Sequence, residues 1–425
     1  MNLRDCNESF SAFFACAMRS DSVGRCRLTT SFQMPLSRRE HFCQLAAAAA
    51  SIASPRWMRE QIQAPASAHL PSLRETAAAK GLLYGSDSDN RFRGEPPAYL
   101  ALFLRQCALY AANMSWQDVA PDLMHQAPHE NDGYDANVAV TLDSGLRLTG
   151  AHLLWHERTP PWLATLSRPQ AEKAVADHIR TIAGYYRDRV FCWNVVNEAL
   201  EPQQHGPGGL RMNSPLVGAL GEDFFAPAFR EARAADPAAL LIYNDYALEL
   251  DLPREQARRD ALFRLLDKLQ QANAPIDGIG LQSHLRYRDF SHFREAIYRD
   301  FLRAVAARGL KIVITELDVD DISLPAEIAA RDQAVADVYA RFLAVALDEP
   351  AVAALVTWGI CDPYSWHNHT QYFPEYARAD HVAQRPLLFD AFFQPKPSFY
   401  AVLNALHHAP ARPSTGTQGP GARET

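Results

Sequence analysis

The sequence predicts an α/β fold of the (β/α)8 TIM-barrel class, built as a single domain. From about Leu73 onward, short apolar segments alternate with amphipathic helical segments, the pattern of a parallel sheet covered by helices. The strand-like segments are eight: near 82–85, 108–112, 148–155, 190–197, 239–244, 278–283, 311–315 and 353–358. Eight strands favour a closed barrel over an open doubly wound sheet, and no GxGxxG follows the first strand.

Two of the intervening helices have clear apolar stripes. In 254–272, Leu262, Leu266 and their neighbours recur at helical spacing, opposite Arg and Asp residues. The segment 292–308 repeats this arrangement around Phe301. Both stripes are most simply explained as packing surfaces against the sheet.

Composition limits the classes of function. The 425 residues are 48% hydrophobic and 21% charged, with a net charge of −7 and an isoelectric point of about 6.1. Without a basic stripe, nucleic acid and anionic membranes are not expected partners, and no apolar run is long enough to predict a transmembrane helix. The seven cysteines have neither CxxC nor metal-ligand spacing.

The two ends of the chain have a different character from the middle. The paired Arg38 and Arg39 precede an alanine-rich run and resemble a twin-arginine export signal, although a chance Arg-Arg before a helix is the alternative. Four of the seven cysteines precede or lie in this region. The predicted organisation is an upstream extension at 1–33, a signal and linker at 34–70, the barrel at 71–408, and a disordered tail at 409–425.

The segment from Phe191 to Glu198 organises the functional prediction. Its apolar residues suit a buried strand, which then ends on Asn197 and Glu198. A second strand, Lys311 to Glu316, ends in the same way. Carboxylates at the carboxyl ends of barrel strands are typical of active sites. For Glu198 alone, a helix cap or a surface acid is the simpler alternative.

Other predicted strands also end in polar or aromatic residues. Because the strand ends of a barrel meet at one face, we expect these side chains to share a pocket. They are Trp155, His156, Asn244, Asp245, Tyr246, Gln282, His284, Asp318 and Trp358.

Two glutamates facing each other across a barrel mouth suit hydrolysis of a glycosidic bond. One glutamate must stay protonated so that it can give its proton to the leaving oxygen. The other must be ionised to attack the anomeric carbon. The chemistry requires no metal and no organic cofactor. Trp358 and Trp366 suit flat contacts with sugar rings, with structural packing as the alternative.

Trp193 to Leu200 (WNVVNEAL) resembles the acid/base motif of glycoside hydrolase family 10, the endo-β-1,4-xylanases, and Ile314 to Asp318 (ITELD) resembles its nucleophile motif. The resemblance runs from about Leu73 to Leu406. It is supported by Asn244 to Tyr246, Gly278 to Leu285, Thr357 to Asp362, Ser365-Trp366 and Arg385 to Asp390 with Pro395 to Pro397.

The resemblance implies a role for each matching residue. Glu198 would be the general acid/base and Glu316 the nucleophile, with the carboxylates about 5–5.5 Å apart as in retaining enzymes. Asn197 would hold the sugar 2-hydroxyl, while His284 and Asp318 would support the nucleophile. The expected substrate-binding residues are Trp155, Arg158, Tyr246, Gln282, Trp358 and Trp366.

The chain departs from the family pattern on the second and third strands. Ala111, Ala112 and Ser115 stand where the family has polar sugar-binding groups. Ala151 takes the place of a pocket histidine, and His152 follows one residue later, on the opposite strand face if the alternation continues. Arg158 replaces a usual glutamine, and His367 a common arginine.

The leading hypothesis is therefore a retaining endo-β-1,4-xylanase-like hydrolase of xylan or a related plant polysaccharide, exported to the periplasm or outside the cell. One alternative is a β-glycosidase with altered glycone specificity, acting on a decorated sugar whose acidic group meets Arg158. A carbohydrate-binding barrel without catalysis is a third reading. Such a barrel usually loses one carboxylate, whereas both are present here.

Overall fold

The computed structural model describes residues 70–88, 96–119 and 132–412, without the side chains of 132–137. The predicted extension at 1–33 and almost all of the predicted signal and linker at 34–70 lie outside these residues, as does the chain after residue 412.

Eight parallel strands form a closed barrel, which confirms the predicted fold class. Each barrel strand pairs with its neighbour in chain order, and the last pairs with both the first and the one before it. These strands are β1 Leu83–Asp87, β2 Leu109–Asn113, β3 Arg147–Ala151, β5 Val190–Asn197, β6 Leu240–Asp245, β7 Gly278–Leu281, β9 Lys311–Asp320 and β10 Val352–Thr357.

Two short strands extend the carboxyl end of the barrel. Strand β4, Leu154–Trp155, pairs with the end of β5, and β8, His284–Arg286, pairs with the end of β9. The single strand predicted at 148–155 is therefore two pieces, with a break after Ala151.

Helices occupy most of the connections between the strands. The predicted helices at 254–272 and 292–308 are confirmed as α8 and α9. The helices are α1 Leu73–Ala78, α2 Pro97–Gln106, α3 Trp116–Val119, α4 Asp132–Asp143, α5 Arg168–Tyr185, α6 Pro215–Leu220, α7 Phe225–Ala235, α8 Pro253–Gln271, α9 Glu295–Ala306, α10 Ile328–Ala346 and α11 Pro397–His408.

The alternation of side chains along the strands creates two apolar layers. The inner cluster includes Leu109, Phe191, Ile242 and Val313, and a larger outer cluster joins the strands to the helices. Trp193 belongs to the outer layer and donates its indole N–H to Asp236 at 2.9 Å. Burying side chains of this size stabilises the fold by about 1.5–3 kcal/mol each.

The described part of the chain continues for four residues past the predicted barrel boundary at 408. Residues 409–412, assigned from sequence to the disordered tail, lie among the described residues, and Arg412 donates hydrogen bonds to the carbonyls of Val352 and Leu347. These bonds satisfy buried backbone acceptors, which composition alone could not predict. In the described part of the chain, no helix combines the length and apolar character needed to cross a bilayer.

Candidate active site

A cleft of about 730 Å³ lies at the carboxyl end of the barrel. Nine of the eleven site residues predicted from sequence line it: Trp155, Arg158, Glu198, Tyr246, Gln282, His284, Glu316, Trp358 and Trp366. The other two, Asn197 and Asp318, are buried and bond to residues of the cleft. The structure thus brings together residues that are more than 200 positions apart.

Glu198 follows strand β5 directly and has a positive φ of 55°. Non-glycine residues adopt this backbone region rarely, and when they do it is often at functional sites. Trp155 Nε1 donates to Glu198 Oε2 at 2.9 Å, and Gln282 Nε2 donates to Oε1 at 2.8 Å. Burial raises the pKa of Glu198, against the opposing effect of the Gln282 hydrogen bond. This environment favours a carboxyl group that carries a proton.

Glu316 lies within strand β9 in a different environment. Asn244 Nδ2 donates to its Oε1 at 2.8 Å, and His284 Nε2 lies 3.1 Å from Oε2. Burial raises the pKa of Glu316, but the imidazoles of His152 and His284 outweigh burial and lower the pKa to about 2. Glu316 therefore loses its proton at a lower pH than Glu198 does.

His284 is held on its other side by Asp318. The distance from His284 Nδ1 to Asp318 Oδ1 is 2.9 Å, and Trp366 Nε1 donates to Oδ2 at 2.8 Å. Burial lowers the pKa of His284, but Asp318 and Glu316 together raise it well above its ordinary value. The imidazole of His284, held between two carboxylates, acts together with His152 to keep Glu316 ionised.

Asn197, at the end of strand β5, is almost fully buried, at 1% exposure. Its Oδ1 accepts hydrogen bonds from Asn194 at 3.1 Å and Asn244 at 2.9 Å. Its amide nitrogen has no hydrogen-bond partner among the described residues. A buried donor without a partner suits a ligand hydroxyl.

Asn244 is a site residue that the sequence-based assignment of roles left out. Its amide nitrogen bonds both Asn197 and Glu316, and its Oδ1 accepts from Thr315 at 2.8 Å. A Cβ atom at Gly280 would lie 2.1 Å from Asn244 Oδ1, so glycine is required there. The Asn244–Tyr246 motif already marked Asn244 as a candidate site residue. Its position in the strand, however, does not show whether its amide orients other side chains or only packs against them.

The altered side of the cleft partly contradicts the sequence prediction. Ala111, Ala112 and Ser115 are buried. His152, however, was expected on the opposite strand face and instead lines the cleft, with Nε2 3.9 Å from Glu316 Oε1. Strand β3 ends at Ala151, so the alternation on which the prediction depended does not continue to His152.

Arg158 lies at the edge of the cleft, with about half of its side chain exposed. Its Nη1 lies 3.7 Å from Asp118 Oδ1, so its charge already has a partner. His367 is buried 3.5 Å from Asp318 and stacks on Tyr376 with 4.7 Å between ring centroids. It therefore packs behind the nucleophile's supporting residues.

Among the described residues, His156, Glu157 and Glu198 form a group with donor atoms within 4.8 Å of one another. Such a group has a spacing that a divalent cation can bridge. Glu157 extends into solvent with 60% of its side chain exposed. A cation bound here would compete directly with the proton on Glu198.

The chain is similar in sequence to proteins of a known family. The sequence model of glycosyl hydrolase family 10 matches residues 72–405. Endo-1,4-beta-xylanase B of Thermotoga neapolitana is 30% identical over 336 residues, covering 78% of this chain and 90% of that protein. Endo-1,4-beta-xylanase A of Fusarium oxysporum f. sp. lycopersici is 31% identical over 301 residues, covering 69% and 85%.

Solved structures agree with the sequence matches. Native xylanase 10B from Thermotoga maritima superposes with a TM-score of 0.68 at 28% identity, covering 79% of this chain and 98% of that one. Xylanase 10B from Thermotoga petrophila RKU-1, solved with xylobiose, gives 0.68 at 28%, covering 80% and 98%. The chain belongs to glycosyl hydrolase family 10 and is a retaining, endo-β-1,4-xylanase-like glycoside hydrolase.

Proposed function

We propose that this family member hydrolyses β-1,4-glycosidic bonds of xylan or a related plant polysaccharide, with Glu316 as nucleophile and Glu198 as general acid/base. The observation that carries the proposal is the opposite environment of the two carboxylates. Burial raises the pKa of Glu198, whereas His152 and His284 overcome burial and lower that of Glu316 to about 2. Opposite pKa shifts of the two carboxyl groups support Glu198 as the acid and Glu316 as the ionised partner.

In the first step, a Glu316 oxygen attacks the anomeric carbon while Glu198 gives its proton to the departing glycosidic oxygen. The bond from the anomeric carbon to that oxygen breaks, and a glycosyl ester forms on Glu316. Negative charge on Glu316 is consumed in this step. His284, bonded to Asp318 at 2.9 Å, holds the carboxylate in place before attack.

In the second step, Glu198, now ionised, takes a proton from water, and the resulting oxygen attacks the anomeric carbon. The ester bond breaks, Glu316 is released, and the sugar keeps its β configuration. Gln282 and Trp155 hold the two oxygens of Glu198 at 2.8 and 2.9 Å in the free enzyme. These bonds orient the same group for both proton transfers.

Asn197 is proposed to bind the 2-hydroxyl of the reacting sugar. Support comes from its buried amide nitrogen, which has no partner among the described residues. A hydrogen bond to the 2-hydroxyl strengthens as the ring approaches an oxocarbenium-like transition state. Trp358 and Trp366 line the cleft and are proposed to stack on sugar rings.

The decisive experiment follows hydrolysis of xylo-oligosaccharides by proton NMR. The expected first product is the β anomer, together with cleavage within the chain. In a Glu198→Ala variant, added azide should accelerate cleavage of an activated aryl β-xylobioside and yield the β-glycosyl azide. A first product with the α configuration would overturn the assignment of Glu316 as nucleophile. If azide did not accelerate cleavage by the Glu198→Ala variant, the assignment of Glu198 as acid/base would be overturned.

A second candidate is a β-glycosidase with a different glycone preference. It is favoured by Ala111, Ala112 and Ala151, which have no polar side-chain group, and by Ser115, whose hydroxyl already donates to Asn113. An acidic decoration would have to compete with Asp118 for Arg158. Comparing plain and glucuronic-acid-substituted xylo-oligosaccharides with aryl β-glucosides separates the two candidates by their kcat/KM values.

Export through the twin-arginine route is proposed from Arg38 and Arg39, which lie outside the described residues. This route carries folded proteins, and a polysaccharide is accessible only beyond the cytoplasmic membrane. Fractionation of cells producing the full chain should locate activity outside the cytoplasm. Replacement of both arginines by lysine should retain it inside; unchanged export would reject the signal.

A further inference from the structure

His152 is a buried polar residue that lines the cleft just after strand β3. Its side chain is 5% exposed, and neither ring nitrogen has a hydrogen-bond partner among the described residues. Buried polar groups are almost always paired, and an unpaired one destabilises the folded protein. An imidazole kept in this state therefore points to a partner supplied by a ligand.

The position of His152 restricts what that partner can be. The residue lines the cleft with Asn113 and Trp155, and its Nε2 lies 3.9 Å from Glu316 Oε1. Its ring packs against the indole of Trp155 with 5.0 Å between centroids. A reacting sugar must bring its anomeric carbon to about 3–3.5 Å from a Glu316 oxygen. The hydroxyl groups of that sugar are thus within reach of the imidazole.

The chemistry of the two groups is complementary. An imidazole presents two ring nitrogens that can take part in hydrogen bonds, and a sugar hydroxyl both donates and accepts. Asn113 is less able than His152 to accept a hydrogen bond from a sugar hydroxyl. Its Oδ1 already accepts from the Ser115 amide at 3.2 Å and from the Ser115 hydroxyl at 2.7 Å.

We propose that His152 is a specificity-determining residue that binds a hydroxyl of the sugar attacked by Glu316. It would supply a contact that Ala111, Ala112 and Ala151 cannot make, from a position one residue beyond the end of strand β3. The proposal rests on the proposed function, because it takes Glu316 as the nucleophile. A purely structural or electrostatic role for His152 predicts the same loss on every substrate, whereas a hydroxyl contact does not.

The test combines variants with substrates that lack single hydroxyl groups. His152→Ala and His152→Asn are assayed on an aryl β-xylobioside and on its monodeoxy analogues at the reacting ring. We expect His152→Ala to lower kcat/KM about tenfold on the complete substrate, the size of one hydrogen bond. On the analogue lacking the bound hydroxyl, the loss should fall below about twofold. His152→Asn should recover part of the loss on the complete substrate.

The control is His407→Ala, which removes an exposed histidine of helix α11 outside the cleft and should leave every rate unchanged. Thermal unfolding midpoints and pH profiles are recorded for all variants. An equal loss on all substrates, with or without a shifted acidic limb, would overturn the hydroxyl contact while leaving the proposed function intact. No hydrolysis by the wild type of any xyloside would overturn the proposed function, and this assignment with it.

Discussion

The two sides of the cleft around Glu316 differ in how completely their polar groups are paired. Toward strands β8 and β9, the Glu316 carboxylate, His284, Asp318 and Trp366 form a continuous hydrogen-bonded chain. Toward strands β2 and β3, Ala111, Ala112 and Ala151 are buried, and neither ring nitrogen of His152 has a hydrogen-bond partner among the described residues.

This difference has a physical basis in what each side must do before substrate arrives. A nucleophile must be ionised and oriented in the free enzyme, so its supporting groups pair with one another. A group without a hydrogen-bond partner in the free enzyme, such as the imidazole of His152, is available to a ligand. His284 and Asp318, which hold Glu316, lie on strands β8 and β9, whereas His152 follows strand β3.

The largest effect should come from removing the nucleophile. Glu316→Ala is expected to lower kcat on an aryl β-xylobioside by on the order of 10⁴-fold, because no other group can form the ester. Steady-state rates measure this loss. Glu172→Ala, an exposed substitution on helix α5, is the matched control and should retain full activity. Residual activity near that of the control would contradict the role of Glu316.

Removing the acid should have a smaller, substrate-dependent effect. Glu198→Ala is expected to lower kcat/KM by about 10²–10⁴-fold on xylo-oligosaccharides, whose leaving groups need a proton. On a dinitrophenyl β-xylobioside, whose leaving group does not, the first step should be almost unaffected. Pre-steady-state rates of phenolate release measure that step. Equal losses on both substrates would be inconsistent with proton donation.

The next largest effect should come from removing His284, which is hydrogen-bonded to Glu316 and Asp318. His284→Asn removes the positive charge beside Glu316, so the depressed pKa of Glu316 should rise. Activity requires ionised Glu316, so the acidic limb of the kcat/KM profile should move to higher pH, by about one unit or more. His292→Asn, an exposed histidine outside the cleft, serves as control. An unchanged acidic limb would remove His284 from this role.

The smallest effect is expected at the rim of the altered side. Arg158→Ala should change kcat/KM on neutral xylo-oligosaccharides by less than about threefold, since Arg158 is half-exposed and paired with Asp118. Kinetics on a glucuronic-acid-substituted oligosaccharide sharpens the comparison. A loss confined to the acidic substrate would support recognition of a decorated glycone, and equal small losses on both would reject it.

Most of the fold was accessible from the sequence because the relevant signals are local. The eight apolar segments, with their intervening helical stripes, correspond to the eight barrel strands. The two carboxylates followed from the same pattern: once a barrel closes, Glu198, directly after β5, and Glu316, in the carboxyl-terminal half of β9, face one cleft.

The positions that escaped prediction depend on where a strand stops. Alternation placed His152 on the opposite face, yet β3 ends at Ala151 and the next pairing begins at Leu154. Asn244 lies within β6, and its side chain reaches both Asn197 and Glu316 only because the neighbouring strands stand in that register. Neither the position of His152 nor the contacts of Asn244 can be predicted from the spacing of residues along the chain.

The sequence by itself determined the class of fold, the pair of carboxylates and the strands that bear them, because periodicity and strand-end chemistry act over a few residues. Only the tertiary structure decided how each carboxylate is charged and what faces the sugar. Those properties depend on burial and on partners from distant strands, such as His284 for Glu316 and Gln282 for Glu198. Electrostatic free energies arise between groups brought together by folding, and the position of His152 beside Glu316 is set in the same way.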